Sequence, residues 1–273
     1  MDDSNKDNKS TTLNALIDQL NKLKKFRIHT GNINTFVDLK LKRFTNSAEE
    51  LKETIKLVLN NLPSDIHVED DGMLLLVDKK HCDNYEREDL KITLKLFLEE
   101  FKYDYVKDAV EAVIKQLKTD SIEQLILSFP EPDSVSPNLI DEKWFNDVLR
   151  IWKDAENGLI AQRKVLSLGV ADFQLPELDL LFKKVNPELQ DFAKQNSIQL
   201  LTHNDPKPFP LKEVFNCFCE DKTDIDSSRI CKTLFEPVWA ARYTVWVRRR
   251  SLMAAKGFIV QFNASDATNT TTT

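Results

Sequence analysis

The sequence predicts an α/β protein, and three observations support this fold class. Segments with apolar residues at helical spacing alternate along the chain with short apolar runs that end in turns. Residues 73 to 77 form a continuous apolar run, which is typical of a strand buried on both faces. Ile198, Leu200 and Leu201 form a short apolar run with the length of a buried strand, and residues 203 to 206 end it sharply. Because the sites of α/β proteins gather at the carboxyl ends of strands, residues 203 to 207 are the first candidate site.

The composition is that of a globular protein and excludes some classes of partner. The chain has 273 residues, of which 41% are hydrophobic and 30% charged, enough for one barrel-sized domain or two small ones. Its 44 acidic and 38 basic residues give a net charge of −6, so we expect neither nucleic acid nor an anionic membrane as partner. No apolar stretch approaches 18 residues and the amino terminus is polar, so we expect a cytoplasmic protein.

The polar ends and the cysteines define the expected domain organisation. Residues 1–12 and the Thr-rich residues 263–273 are expected to be disordered tails around a single domain over residues 13–262. The cysteines are too few and too unevenly spaced for a disulfide framework, and a C-x-C pair without a second pair does not predict a metal site. We therefore interpret all four as thiols, whose redox role the sequence leaves open: Cys82, Cys217, Cys219 and Cys231.

The first part of the chain contains the signals of a helix, a strand and a second helix. Apolar residues at helical spacing predict an amphipathic helix over residues 13 to 23, and alternation predicts a short strand at residues 26 to 30. The pattern Ser47-x-x-Glu50 has the form of a capping box, so a helix is expected to begin there and to end at Pro63.

The middle of the chain alternates strand and helix patterns. Apolar spacing predicts helices at residues 106 to 117, from Asp141 or Glu142 onward, and at residues 175 to 182. The stretches at residues 87 to 97 and 122 to 130 are expected to be strands, and residues 164 to 173 a strand with the turn that follows it. Near the end of the chain, residues 237 to 260 allow two interpretations. They form either a last helix and strand, or a hairpin in which Tyr243, Val245 and Val247 alternate with outward residues.

Two stretches resemble a known family. Residues 192 to 207 closely resemble the regulatory (modifier) subunit of glutamate–cysteine ligase, a family with an aldo-keto-reductase-like barrel, and residues 237 to 260 resemble its W-x-x-R-Y-x-V-x-V and K-G-Y-I patterns. The resemblance implies an aldo-keto-reductase-like (β/α)8 TIM barrel. The barrel is degenerate, because the chain runs from residue 185 to residue 187 without the strand that the family places there, so one interior strand is expected to be missing.

The same resemblance bears on whether the chain keeps the proton-transfer residues of the reductase superfamily. Residues 87 to 97 resemble the reductase strand R-E-x-L-x-I-x-x-K-L, and Lys95 matches the lysine that lowers the pKa of a proton-donating tyrosine. Ser128 stands where the superfamily has histidine, and residues 34 to 44 contain no tyrosine to act as donor. We therefore expect no catalytic residue and no cofactor, with Lys95 vestigial. The alternative is an NADPH-binding or NADPH-dependent reductase of the aldo-keto reductase type.

Family behaviour implies a non-catalytic regulatory subunit that forms a heterodimer with the catalytic subunit of glutamate–cysteine ligase. It would raise the affinity of that subunit for glutamate and weaken feedback inhibition by glutathione. Two other interpretations stay open: residues 203 to 207 form a self-contained turn in which Asp205 caps the next helix, or the chain is a scaffold for a different partner. The candidate partner-binding residues are His203, Asn204, Asp205, Lys207, Arg242 and Trp246.

Overall fold

A computed structural model describes residues 22–59, 72–75, 85–132, 141–173, 175–185, 205–214, 235–250 and 252–264. Within them a seven-stranded sheet has the spatial order β2-β1-β7-β6-β3-β4-β5. The strands are β1 Lys25–His29, β2 Met73–Leu75, β3 Leu90–Leu98, β4 Ile122–Ser128, β5 Val165–Val170, β6 Phe235–Val247 and β7 Leu252–Ala264. The helices are α1 Val37–Lys40, α2 Ser47–Leu59, α3 Tyr103–Leu117, α4 Glu142–Ala155 and α5 Leu175–Val185. The alternation from β3 to α5 confirms the α/β class.

A long hairpin of β6 and β7 lies at the centre of the sheet. Both strands have 13 residues, and β6 is almost entirely buried. Tyr243, Val245 and Val247 are buried and alternate with half-buried neighbours, so the hairpin interpretation of this segment is confirmed. A strand with apolar residues on both faces is most stable between two other strands, which accounts for its central position.

The strand directions differ from those of a parallel barrel. β3, β4 and β5 are parallel to one another, and β1 is parallel to β2. β6 is antiparallel to β3, and β7 is antiparallel to both β6 and β1. The two parallel groups therefore run in opposite directions on either side of the hairpin. The strands of a (β/α)8 barrel are parallel, so the mixed sheet of the described residues departs from that expectation, and closure of the sheet into a barrel stays a prediction.

Alternation along β3 separates the two faces of the sheet. Its even-numbered residues from Leu90 to Leu98 are buried in a core that includes residues of α3 such as Val106 and Val110. Phe97, on the opposite face, belongs to a second core with Phe258 of β7. Lys95 lies on the same face as Phe97, because side chains two positions apart share a face. The sheet thus buries a lysine on the face that carries the second core.

The start of α2 differs from the predicted capping box. The Asn46 side chain accepts a hydrogen bond from the Glu49 backbone N–H (2.9 Å), and the Glu49 carboxylate accepts one from the Thr45 N–H (2.8 Å). The cap therefore lies one residue earlier than Ser47. Ser47 and Glu50 have other partners, Asp205 and Lys256 respectively. Because Glu49 and Glu50 are adjacent, the sequence alone does not distinguish a cap at Asn46 from a cap at Ser47.

Several predictions fall outside the described residues. They are the helix at residues 13 to 23 except its last two residues, the helix and strand at residues 187 to 201, the missing interior strand near residue 186, the tail at residues 1–12 and the tail from residue 265 onward. Asn263 and Ala264, which were expected to begin the carboxyl-terminal tail, are the last two residues of β7. His203, Asn204 and the four cysteines also lie there. No helix among the described residues has the length and apolar character needed to cross a membrane.

Candidate functional site: a buried ion cluster around Lys95

Four charged side chains meet on the face of the sheet that carries Phe97. Lys95 comes from the middle of β3 and Arg242 from the residue paired with it on β6. Asp172 follows β5, and Asp205 begins the described segment 205–214. We call these four residues the Lys95 cluster. Its two cations and two carboxylates balance in formal charge.

Asp205 is the centre of this cluster, and its carboxylate is fully buried (0% exposed). Lys95 Nζ donates a hydrogen bond to Asp205 Oδ2 at 2.6 Å. The Arg242 guanidinium binds both carboxylate oxygens, with Nη1 2.8 Å from Oδ1 and Nη2 3.1 Å from Oδ2. The Ser47 hydroxyl, at the start of α2, also donates to Oδ1. Asp205 therefore ties β3, β6 and α2 to its own segment. Such two-pronged pairing is the geometry in which arginine binds carboxylates most strongly.

These contacts change the acidity of Asp205. Burial by itself raises the pKa of a carboxyl group, because a low-dielectric interior disfavours the charged form. Here the charge of Arg242 and the hydrogen bonds from Lys95 and Ser47 outweigh burial and lower the pKa of Asp205 to about 2, from its ordinary 3.8. Asp205 is thus ionised at neutral pH.

Asp172 joins the cluster from the other side. Its Oδ2 lies 3.7 Å from Lys95 Nζ and accepts a hydrogen bond from the Ser128 hydroxyl at 2.8 Å. Lys207 Nζ donates to the Asp172 backbone carbonyl. The carboxyl ends of β4 and β5 are therefore joined to the 205–214 segment by the same cluster.

Two phenylalanines lie against the cations. Phe97 of β3 stacks on Phe209, with ring centroids 3.9 Å apart. Lys95 Nζ and the Arg242 guanidinium carbon lie 5.1 Å and 5.9 Å from the centroid of the Phe97 ring. These distances are within the range of cation–π attraction. The Lys95 side chain is consequently only 6% exposed.

The position of the tyrosines bears on whether Lys95 can assist proton transfer. A lysine that lowers the pKa of a tyrosine must lie close to its hydroxyl. All four tyrosines of the chain lie in described residues. Tyr243 follows Arg242 on β6 and so projects from the opposite face of the sheet, where its hydroxyl lies 3.0 Å from His29 Nε2 and donates to the Gly31 carbonyl. Tyr103 and Tyr105 belong to α3, which packs on that same opposite face. Tyr85 lies near Asp89 and the exposed Arg249, next to the amino end of β3.

The structure brings together some of the residues that the sequence singled out and separates others. Lys95, Ser128, Asp205 and Arg242 are joined in or next to the cluster. Lys207 lies beside it with an exposed side chain. Trp246 is half-buried and pairs with Lys91, which lies near the amino end of β3, four positions before Lys95 of the cluster.

Two members of the site were not predicted. Ser47 was interpreted only as a helix cap, and its contact with Asp205 spans 158 positions in sequence, which no local pattern reveals. Asp172 lies two residues after β5, in the turn of the strand-and-turn stretch predicted at residues 164 to 173. The rule that selected residues 203 to 207, that polar residues at a strand's carboxyl end form sites, applies equally to Asp172 and would have found it.

Sequence comparison confirms the resemblance inferred from residues 192 to 207 and 237 to 260. The chain is 28% identical over 263 aligned residues to the glutamate–cysteine ligase regulatory subunits of Rattus norvegicus and Homo sapiens, covering 86% of this chain and 91% of each relative. The regulatory subunit of Bos taurus is similar to the same extent. No protein-family model matches the chain.

Aldo-keto reductases are among the solved structures that are similar to this one. An aldo-keto reductase complexed with NADPH is 19% identical, with a TM-score of 0.31 over 55% of this chain and 42% of that one. A thermostable aldo-keto reductase is 16% identical, with a TM-score of 0.33 over 64% of this chain and 67% of that one. Likenesses of this size do not bear on the activity of the chain.

Proposed function

We propose that the chain is a non-catalytic regulatory subunit of glutamate–cysteine ligase, acting in glutathione synthesis in the cytoplasm. One observation carries the proposal: the similarity to subunits of that name extends over 86% of this chain and 91% of theirs. The match therefore includes nearly the whole of the relatives rather than a shared motif. The partner would be the catalytic subunit, in a heterodimer.

The Lys95 cluster supports a role without catalysis. The ammonium group of Lys95 is bound by Asp205 and Asp172, and its side chain is 6% exposed. A reductase needs a positioned acid that donates a proton to the nascent alkoxide, which contributes about 10²–10⁴-fold to the rate. Tyr243, on the adjacent strand, faces away from Lys95 into the opposite core. The ammonium group of Lys95 is thus bound to carboxylates, and the tyrosine on the adjacent strand is not its partner.

Regulation by such a subunit would follow from differential binding. A partner shifts a conformational equilibrium only by binding one state more tightly than another. We propose that this chain binds the state of the catalytic subunit that has higher affinity for glutamate and lower affinity for glutathione. By reciprocity, glutamate would strengthen the heterodimer and glutathione would weaken it.

The predicted partner-binding residues differ in what they can contribute. Lys207 is exposed and Trp246 is half-buried, so both can contact a partner directly. Asp205 and Arg242 are bound to each other inside the protein, and we propose that they hold Lys207 and its neighbours in place. His203 and Asn204 stay predictions.

The test is complex formation with the cognate catalytic subunit. Mixed in equal amounts, the two purified chains are expected to elute together from a size-exclusion column, with glutamate in the buffer stabilising the complex. Separate elution at micromolar concentrations would contradict the proposal. A parallel assay of NADPH oxidation with aldehyde substrates examines the reductase alternative, for which the expected result is no turnover above that of a Lys95→Met variant.

A further inference from the structure

Three hydrogen-bond donors from three different elements converge on one point at the sheet. Arg242 lies in the middle of β6, Lys95 in the middle of β3, and Ser47 at the start of α2. The Arg242 guanidinium presents two N–H groups side by side, 2.8 Å and 3.1 Å from the two oxygens of Asp205, and the Lys95 ammonium lies 2.6 Å from Oδ2. The Ser47 hydroxyl donates to Oδ1. A forked pair of N–H groups with a second cation fits a planar carboxylate, so we call these three donors the carboxylate site.

Regular secondary structure holds the backbone of all three donors. Lys95 and Arg242 are opposite each other in the pairing of β3 with β6, which continues over nine residue pairs. Ser47 is 4% exposed and begins a helix that is capped separately by Asn46. The Phe97 ring packs against both cations. Because strands and a helix fix these donors, the site is largely organised before a carboxylate enters it, which favours binding.

The carboxylate that fills the site comes from a connecting segment rather than from the sheet. Asp205 begins the described segment 205–214 and lies outside its short helical turn. The same segment is attached at other points, through the Lys207 ammonium, the stacked ring of Phe209 and the buried Leu211. Asp205 is therefore a ligand that a connecting segment supplies to a site built by β3, β6 and α2.

The size and the surroundings of the Asp205 side chain define what else could occupy the site. An aspartate side chain has the same heavy atoms as acetate, and this one is fully buried (0% exposed), so its removal would leave a space of that size beside the three donors. The Arg242 side chain is 18% exposed, which gives solvent access to one edge of the site. Asp172 faces Lys95 from the other side at 3.7 Å, whereas Arg242 forms no ion pair with a second carboxylate of the described residues. A positive charge would thus remain to attract an anion.

We propose that Lys95, Arg242 and Ser47 form a binding site for a small monocarboxylate, and that Asp205 is the occupant which the chain itself supplies. In the wild-type protein the site fastens the 205–214 segment to the sheet. When the Asp205 side chain is removed, the site binds acetate or formate from solution, and a bulkier carboxylate such as pivalate does not fit. This inference is independent of the proposed function, since it concerns the chain by itself.

The experiment measures urea unfolding of Asp205→Gly at neutral pH in acetate, pivalate or chloride of equal ionic strength. A ligand that binds only the folded state raises the ratio of folded to unfolded protein in proportion to its occupancy of the site. We expect about 0.5 M acetate to raise this ratio about tenfold over chloride, and pivalate to give no such increase. Salts also act on protein surfaces in general, so each change is compared with that of wild type, in which Asp205 already fills the site.

Two control variants locate the effect. Asp108→Gly also removes a carboxylate that lies between two cations, Lys25 at 3.5 Å and Arg27 at 3.3 Å, but Asp108 is 34% exposed. Its response to acetate should equal that of wild type, because a solvated pair leaves no enclosed site. Asp205→Gly/Arg242→Met lacks the forked donor and should lose the additional response.

The outcomes decide the inference in each case. Equal responses of Asp205→Gly and wild type to acetate would overturn it, and so would an additional response that survives Arg242→Met. If Asp205→Gly is unfolded in chloride, circular dichroism measures its refolding in acetate instead. Refolding in acetate but not in pivalate is then the expected result, and no refolding in acetate would overturn the inference.

Discussion

At the scale of single residues, Asp205 compensates the buried positive charges of Lys95 and Arg242. Lys95 and Arg242 are 6% and 18% exposed, and Asp205 is bonded to both. Removing one member of a buried ion group leaves the others uncompensated, which is far more costly than the net contribution of the intact group. Asp205 therefore has greater structural importance than Lys95.

The first prediction compares truncation of the two residues. Asp205→Ala is expected to lower the free energy of unfolding by about 3–5 kcal/mol, because two cations lose their bonded carboxylate. Lys95→Met should cost less, since Asp205 keeps both hydrogen bonds from Arg242. Urea denaturation followed by circular dichroism measures both values, with the exposed Asp38→Ala as control. A larger loss for Lys95→Met than for Asp205→Ala would show that the cluster is organised differently.

The second prediction concerns pH. The folded pKa of Asp205, about 2, is below its ordinary value of 3.8, so ionised Asp205 stabilises the folded state. This stabilisation is complete above about pH 5 and is lost as the pH falls from about 4 towards 2. Other carboxyl groups with lowered pKa, such as Glu123, contribute to the same window. The test is the difference between wild type and Asp205→Asn, which should shrink with falling pH. A difference that is constant between pH 6 and pH 2.5 would exclude this role of Asp205.

The third prediction concerns a close approach in the core. A methyl group at Gly257 would collide with the Gly31 backbone carbonyl and with the Tyr243 hydroxyl, which hydrogen-bond to each other. Gly257→Ala should therefore destabilise the fold by about 1–3 kcal/mol or prevent folding. Gly169→Ala is the matched control, since the nearest atom to its methyl group would be Ile126 Cγ1 at an ordinary 3.6 Å. Equal thermal midpoints for the two variants would contradict this packing.

At the scale of elements, local patterns predicted the segments from β3 to α5 but not their arrangement. Each of these helices and strands has its own spacing of apolar residues. Asp141 caps α4 by accepting a hydrogen bond from the Trp144 N–H (3.0 Å). Residues 237 to 247 were ambiguous, because apolar residues on both faces satisfy helical and strand spacing equally well. Their pairing with β3 joins residues about 150 positions apart, such as Lys95 and Arg242, and nothing in the local sequence specifies it.

The fourth prediction tests the start of α2. Asn46→Ala removes the side chain that caps this helix and is expected to cost about 1 kcal/mol. Ser47→Ala should act through Asp205 instead, so its effect should largely disappear when Asp205 is already Asn, whereas the effect of Asn46→Ala should persist. This double-mutant cycle is measured by chemical denaturation. Additive effects of Ser47→Ala and Asp205→Asn would show that the two residues are independent.

At the scale of the whole molecule, the Lys95 cluster connects parts of the sheet that are far apart in the sequence. It joins β3, β6, the ends of β4 and β5, and α2. The sequence predicted Lys95, Ser128, Asp205 and Arg242 as separate candidates, some as catalytic remnants and some as partner contacts. That they meet depends on the mixed sheet, which long-range pairing determines. A position that resembles a catalytic lysine has thus become part of the internal framework.

The most direct test of the proposed function is the glutamate saturation curve of the cognate catalytic subunit, measured with and without this chain and repeated with the Lys95→Met variant. The wild-type chain is expected to lower the glutamate concentration at half-saturation and to weaken inhibition by glutathione. The folded Lys95→Met variant should have the same effect, because no catalysis by Lys95 is involved. An unchanged curve with the folded wild-type chain would contradict the central claim.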